Sequence, residues 1–227
     1  MLERILPASA RVAATSEDLD VALYPEEETI VGRAVEKRRR EFTTARACAR
    51  EALAQLGQRP QAIPSGRRGE PLWPAGIVGS ITHCEGYRAC AVARAGDLVT
   101  VGVDAEPNQP LPDGLLEDIA LPEEREWLRY LARQSPETHW DRLLFSIKES
   151  VYKAWFPLAE RWLGFEDALV AIDRQRERFS AHLLVPGPLL DGREVRSFQG
   201  SWLVANGLVL AAIALPADGA EPGMPVA

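Results

Sequence analysis

Two stretches of the chain carry residue types that can do chemistry together. In Val101-Gly102-Val103-Asp104-Ala105-Glu106, the two-residue period of an extended chain turns Asp104 and Glu106 to one side and Val101 and Val103 to the other. Further on, Phe145-Ser146-Ile147-Lys148-Glu149-Ser150-Val151-Tyr152-Lys153 lies in a segment where Trp140, Leu144, Ile147, Val151 and Ala154 repeat as an apolar helical stripe. At about 100° per residue, Glu149 and Lys153 fall together roughly opposite that stripe, with Lys148 at its edge. Three carboxylates flanked by lysines suit a magnesium ion holding a polyphosphate, because hard divalent cations take oxygen ligands and complete their shell with phosphate and water. Pro107 stops the strand just after Glu106, so both acids sit at its carboxyl end, where ligands collect in α/β structures. Acids so close raise one another's pKa unless a cation neutralises them. The residues alone also admit a plainer account. Asp104 and Glu106 match the solvent face of an edge strand, and Glu149 with Lys153 is a favourable surface pair worth about 0.2–0.5 kcal/mol.

The elements that must position these side chains can be read in order. Arg11 to Ala14 reads as a short strand. From Glu27 to Leu56, apolar residues including Val31, Val35, Phe42, Ala45, Ala49 and Leu53 keep three-, four- and seven-residue spacing, and Gly57 stands at the C-cap, which predicts one long helix. Pro60 to Gly76 is a loop by its prolines and glycines, with Arg67 and Arg68 at its middle. Ile77–Ile81, Arg88–Arg94 and Val99–Asp104 predict a three-stranded antiparallel meander, and the prolines between 107 and 112 predict a hinge. Glu123–Arg133 and Thr138–Phe156 read as helices, followed by strands at 168–172, 179–184, 196–205 and 208–215 with Asn206-Gly207 as a hairpin turn. Trp155, Phe156 and Trp162 read as core aromatics. Helix-then-strands thus occurs twice. The expectation is an α+β (α/β two-layer) fold of two similar halves, 1–108 and 109–216, each packing helices on a small antiparallel sheet with the site between them. Residues 217–227 read as a flexible tail.

Composition narrows the function classes. A chain of 227 residues with 26 % charged residues can bury a sizeable core. Its formal net charge of -7 argues against non-specific nucleic-acid binding, which needs a basic footprint. Three cysteines, Cys48, Cys84 and Cys90, with no Cys-x-x-Cys pair indicate neither a disulfide framework nor a zinc site. The start of the sequence has no signal-peptide run, and no stretch reaches the roughly 20 apolar residues of a membrane span. A monomeric cytoplasmic protein acting away from membranes is the expectation.

The motifs also carry a family likeness. Val-Gly-Val-Asp-Ala-Glu followed by Phe-Ser-Ile-Lys-Glu-Ser-x-x-Lys resembles the signature pair of the surfactin-type 4'-phosphopantetheinyl transferases. Gly79-Ser80-Ile81-Thr82-His83-Cys84 resembles a second family segment, and Lys37-Arg38-Arg39-Arg40-Glu41-Phe42 through Arg46 its basic coenzyme-A helix. Thr-His-Cys-x-Gly-Tyr combined with Asp-Ala-Glu-Pro is most similar to the enterobactin-type and actinobacterial subgroup. The resemblance implies transfer of the phosphopantetheine arm of coenzyme A, the co-substrate, onto a serine of an acyl or peptidyl carrier protein, releasing adenosine 3',5'-bisphosphate. It implies Mg2+, with Mn2+ as an alternative, held by Asp104, Glu106 and Glu149. Glu149, Lys148 and His83 would be catalytic. Arg38, Arg46, Arg68, Thr82, His83, Asp104, Lys148 and Lys153 would bind coenzyme A. His139 and His182 match no family position. Whether the carrier serves fatty-acid, polyketide, nonribosomal-peptide or siderophore synthesis stays open. Two other classes use some of the same residues. A magnesium-dependent phosphohydrolase would cleave coenzyme A with no carrier present, and a non-catalytic coenzyme-A binder would leave the carboxylates unexplained.

Overall fold

The periodicity that predicts one helix from 27 to 56 is broken by a corner. In the computed structural model, which describes residues 1–217, helix α1 (Pro25–Val31) and helix α2 (Glu36–Gln55) are separated by residues 32–35. Val35 keeps the apolar spacing, yet it is extended (φ -62°, ψ 153°) and 73 % exposed. The chain turns there because Glu27, fully buried, caps α1 by accepting from the Tyr24 N–H and binds both Arg50 of α2 and the N–H of Ile63. At the other end Gly57 takes φ +77°, the left-handed position expected just past a helix.

Helix α2 packs on a three-stranded antiparallel sheet in which β3 (Tyr87–Arg94) lies between β1 (Arg11–Thr15) and β2 (Ile77–Cys84). The meander ends there. Strand β4 (Leu98–Pro107) cannot extend the sheet beside β3, whose two edges are already taken by β1 and β2. It pairs instead with β10 (Leu208–Pro216), opening a five-stranded antiparallel sheet of order β4-β10-β9-β6-β5, where β5 is Ala168–Asp173, β6 is Arg178–Leu183 and β9 is Ser197–Ala205. A two-residue ladder, β7 (Leu189–Leu190) with β8 (Arg193–Glu194), stands apart. Asn206 and Gly207 both have positive φ, 53° and 75°, as a two-residue turn of the primed type requires. The expected division at 108 therefore falls immediately after a strand whose ladder belongs to the later strands.

Helices α3 (Leu115–Ile119) and α4 (Pro122–Gln134) lead to α5 (Trp140–Ala159), which lies across β4 and β10. Its apolar stripe, including Leu144, Ile147, Val151 and Trp155, packs with Val170, Phe198 and Ile213 in one core. The odd residues of β4, Val101, Val103 and Ala105, enter a second core with Ala89, Ala91 and Leu210. Its even residues face α5. A Cβ on Gly102 would lie 2.1 Å from the Ser150 carbonyl oxygen and 2.8 Å from the Ala154 nitrogen, so only glycine lets helix and strand approach this closely. Thr100 Oγ1 donates to the Ala154 carbonyl across the same contact. The α+β expectation of helices on two small antiparallel sheets holds. Trp155 is fully buried and Phe156 partly so, whereas Trp162 is 61 % exposed and is not a core residue. All three cysteines are free and buried. Among the described residues no helix is long and apolar enough to cross a membrane. The expected flexible tail lies, apart from Ala217, outside the described residues.

Candidate active site

The two sheets adjoin along β2 and β4, which run in the same direction without a backbone ladder between them. The β4 N–H groups of Val103 and Ala105 are instead received by the side chains of Ser80 and Thr82, each at 3.0 Å. Buried N–H groups left unpaired are costly, and small hydroxyls satisfy them where the strands lack carbonyl partners.

Where β2 and β4 reach their carboxyl ends, the charged side chains gather. Asp104, 5 % exposed, accepts from Lys153 Nζ at 2.7 Å and from Thr82 Oγ1 at 3.3 Å through Oδ1, while its buried Oδ2 has no partner. Lys153 also donates to the Val103 carbonyl. Glu106 pairs with Arg142 at 3.0 Å, and Arg142 also reaches the carbonyls of Gln109 and Pro110. Burial raises the pKa of Glu106 and Asp104's charge adds to this, with Arg142 opposing. Glu149 is likewise raised, by burial first and by Asp104, with Lys153 opposing. Glu106 and Glu149 thus each feel the charge of Asp104, which is the electrostatic setting a hard cation relieves.

The orphaned Asp104 Oδ2 and the oxygen-only donor set fit a divalent ion of the magnesium type. The shell is not pre-assembled, however. Among the described residues no three His, Cys, Asp or Glu side chains stand together as metal ligands, and two of the acids are paired with Lys153 and Arg142.

His83, at the end of β2, faces α2. Arg38 Nη1 donates to His83 Nε2 at 2.8 Å, and Nδ1 lies 3.8 Å from Glu41. Burial, and then Arg38's charge, hold the imidazole pKa below its ordinary value. A neutral ring with its proton toward Glu41 satisfies both neighbours. The charges of Lys153 and Asp104 also reach this ring, which stands between the basic helix and the acidic cluster. Arg68 approaches from the loop after α2, its guanidinium 5.9 Å from the centre of the Trp162 ring, which in turn packs on Tyr152 at 5.0 Å. Beside Glu149, a slot of about 100 Å³ runs between Tyr152, Trp162, Leu163 and Phe165.

Three residues singled out in the sequence spend their polar atoms on partners within the protein. Arg46 is buried over the Phe42 ring and donates to the Ile63 carbonyl and Ser65 Oγ, tying the 60–76 loop to α2; burial pulls its pKa down to about 10. Lys148 turns into the core of the later half, paired with Glu124 at 2.8 Å and donating to the carbonyls of Phe165 and Ala168. Thr82, 1 % exposed, spends its hydroxyl on Ala105 and Asp104. Glu124 and Arg142 were not marked by sequence reasoning, Glu41 was given no role of its own, and the exposed Trp162 was read as core. Glu124 does carry a legible signal, a glutamate at the third position of a helix opened by Pro122, where capping carboxylates sit.

Comparison with known proteins identifies the family. The model of the 4'-phosphopantetheinyl transferase N-terminal domain matches residues 26–93, and that of the 4'-phosphopantetheinyl transferase superfamily matches residues 100–209. The chain is similar to 4'-phosphopantetheinyl transferase Svp of Streptomyces mobaraensis, 55 % identical across 88 % of this chain and 82 % of that one. It is 49 % identical to 4'-phosphopantetheinyl transferase Npt of Nocardia iowensis over 94 % of this chain and 99 % of the relative. With 4'-phosphopantetheinyl transferase PptT of Mycobacterium tuberculosis the identity is 47 %, covering 92 % and 98 %. Likeness of this extent, over nearly the full length of each partner, places the chain in the 4'-phosphopantetheinyl transferase superfamily.

Proposed function

We propose that this transferase moves the phosphopantetheine arm of coenzyme A onto a serine of a carrier protein through the cluster around Asp104, in the manner of the enterobactin-type and actinobacterial branch. The serine oxygen forms a bond to the phosphorus that carries the pantetheine, the bond from that phosphorus to the bridging oxygen breaks, and adenosine 3',5'-bisphosphate leaves. A magnesium or manganese ion held by Asp104, Glu106 and Glu149 would supply charge neutralisation at the pyrophosphate.

Glu149 accepts the serine proton. Its carboxylate is raised by burial and by Asp104, which makes it a better base than an exposed glutamate. Lys153 sits between the Val103 carbonyl and Asp104 and moves to the incoming phosphates, trading one oxygen partner for another. Arg38, Arg68 and His83 bind the nucleotide and phosphate end, with Arg46 holding the loop that carries Arg68. The slot beside Glu149 receives the uncharged pantetheine arm, whose amide chain suits an apolar wall with few polar groups. Lys148 and Thr82 support this arrangement from beneath.

The observation that carries the mechanism is the buried, half-satisfied carboxylate of Asp104 beside two acids with raised pKa. Mass spectrometry of an apo carrier incubated with this protein, coenzyme A and Mg2+ should show a gain of one phosphopantetheine. Asp104→Ala and Glu149→Gln should lose that product while retaining wild-type circular dichroism. Near-normal turnover in either variant, or cleavage of coenzyme A at full rate without carrier, counts against the assignment.

A further inference from the structure

Ser80 and Thr82 occupy equivalent places on β2, one pleat repeat apart, and each accepts a buried N–H from β4 at 3.0 Å. They are 3 % and 1 % exposed. Only Thr82 does a second thing. Its hydroxyl proton is directed at Asp104 Oδ1, the same oxygen that receives Lys153, which leaves Oδ2 as the unpartnered one. The terminal torsion of an aspartate is soft and roughly two-fold, so packing alone does not decide which oxygen is engaged.

We propose that Thr82 is a positioning residue whose hydroxyl fixes the carboxylate of Asp104 so that Oδ2 is the oxygen presented to a divalent cation. The inference rests on the divalent-ion reading given above. It assigns the Thr82 side chain to the cation site through Asp104, without contact to coenzyme A. Groups that orient a metal ligand from behind typically govern affinity by about 10- to 100-fold.

The test uses Mn2+ as the probe and needs no turnover. Free Mn2+ is counted by electron paramagnetic resonance with the full chain and coenzyme A, in the absence of carrier, for wild type, Thr82→Val, Thr82→Ser and Ser80→Ala. Thr82→Val should weaken Mn2+ binding at least about 10-fold, while Thr82→Ser, which keeps the hydroxyl, should stay within about threefold of wild type. Ser80→Ala orphans an equivalent N–H and should lower the melting temperature as Thr82→Val does, yet leave Mn2+ affinity within about threefold. Should Thr82→Val not fold, Thr82→Cys replaces it with the same expected order, because a thiol is a much weaker hydrogen-bonding group. The inference is overturned if the hydroxyl-free variant binds Mn2+ like wild type, if Ser80→Ala weakens binding equally, or if Thr82→Ser does not preserve it. A wild-type protein that binds no Mn2+ overturns the divalent-ion reading itself, an outcome distinct from these three.

Discussion

Gly102→Ala is the most demanding test of how the site is built. The added methyl would stand 2.1 Å from the Ser150 carbonyl oxygen, 2.8 Å from the Ala154 nitrogen and 2.9 Å from the Ala154 Cβ. These are mostly backbone atoms of α5, so no side-chain rotation relieves the clash. Reaching ordinary contact requires helix and strand to part by on the order of 1 Å. Overpacking of this kind costs about 1–3 kcal/mol, and for a chain of this size each kcal/mol lowers the melting temperature by roughly 2–4 °C. The expected fall is therefore about 2–12 °C by calorimetry. The catalytic consequence is larger than the stability loss. Asp104 is two residues along β4, and Glu149 and Lys153 lie on the displaced helix, so the same shift separates the groups proposed to act together. Misplacement by about 1 Å can lower a rate about 100-fold. Transfer measured well below the melting point should fall by that order, with circular dichroism unchanged. If Gly102→Ala melts within about 1 °C of wild type and transfers at its rate, the contact described between β4 and α5 is wrong.

Further outcomes follow from the charged groups. Lys148→Met removes the cation beside the buried Glu124 carboxylate, which then keeps only the Leu121 and Val170 N–H donors, and should cost up to about 3–5 kcal/mol in urea denaturation. His83 has a lowered pKa in the folded chain, so above the ordinary imidazole range it contributes no pH dependence. As pH falls from that range toward its folded value, the unfolded state binds the proton first and stability declines, a decline that His83→Gln should reduce in pH-dependent thermal melts. Glu106 and Glu149 act with the opposite sign. Their raised pKa values make the protein without metal less stable as pH rises from about 4.5 through the raised range, and Glu149→Gln should raise the melting temperature at neutral pH. Adding Mg2+ and coenzyme A should shrink that advantage.

What could be read in advance followed from local pattern. The stripe on α5, the glycine after α2 and the Asn206-Gly207 turn each rest on a spacing or a dihedral preference that a few neighbouring residues decide. The misses arise where a distant partner decides. Val31 and Val35 keep helical spacing across a corner created by Glu27, Arg50 and Ile63, residues far apart in the chain. The choice of β10 over β3 as the neighbour of β4 depends on β1 having filled the β3 edge. Lys148 sits at the margin of the apolar stripe, and only the buried Glu124 determines that its ammonium turns inward. In the site, the acidic cluster with Lys153 and the Arg38–His83 pair were legible as residue types. The hydroxyl bridges of Ser80 and Thr82 were not, since a threonine beside a histidine reads equally well as a ligand contact.

The pairing of β4 with β10 sets a timetable for synthesis. Asp104 and Glu106 leave the ribosome about a hundred residues ahead of the strand that closes their edge, and until residues 208–216 emerge the acid-bearing strand has an open flank that any passing chain could zip onto. The nascent protein therefore completes the sheet that carries its proposed reaction centre only late in translation, and a chain halted short of residue 208 would be an aggregation hazard.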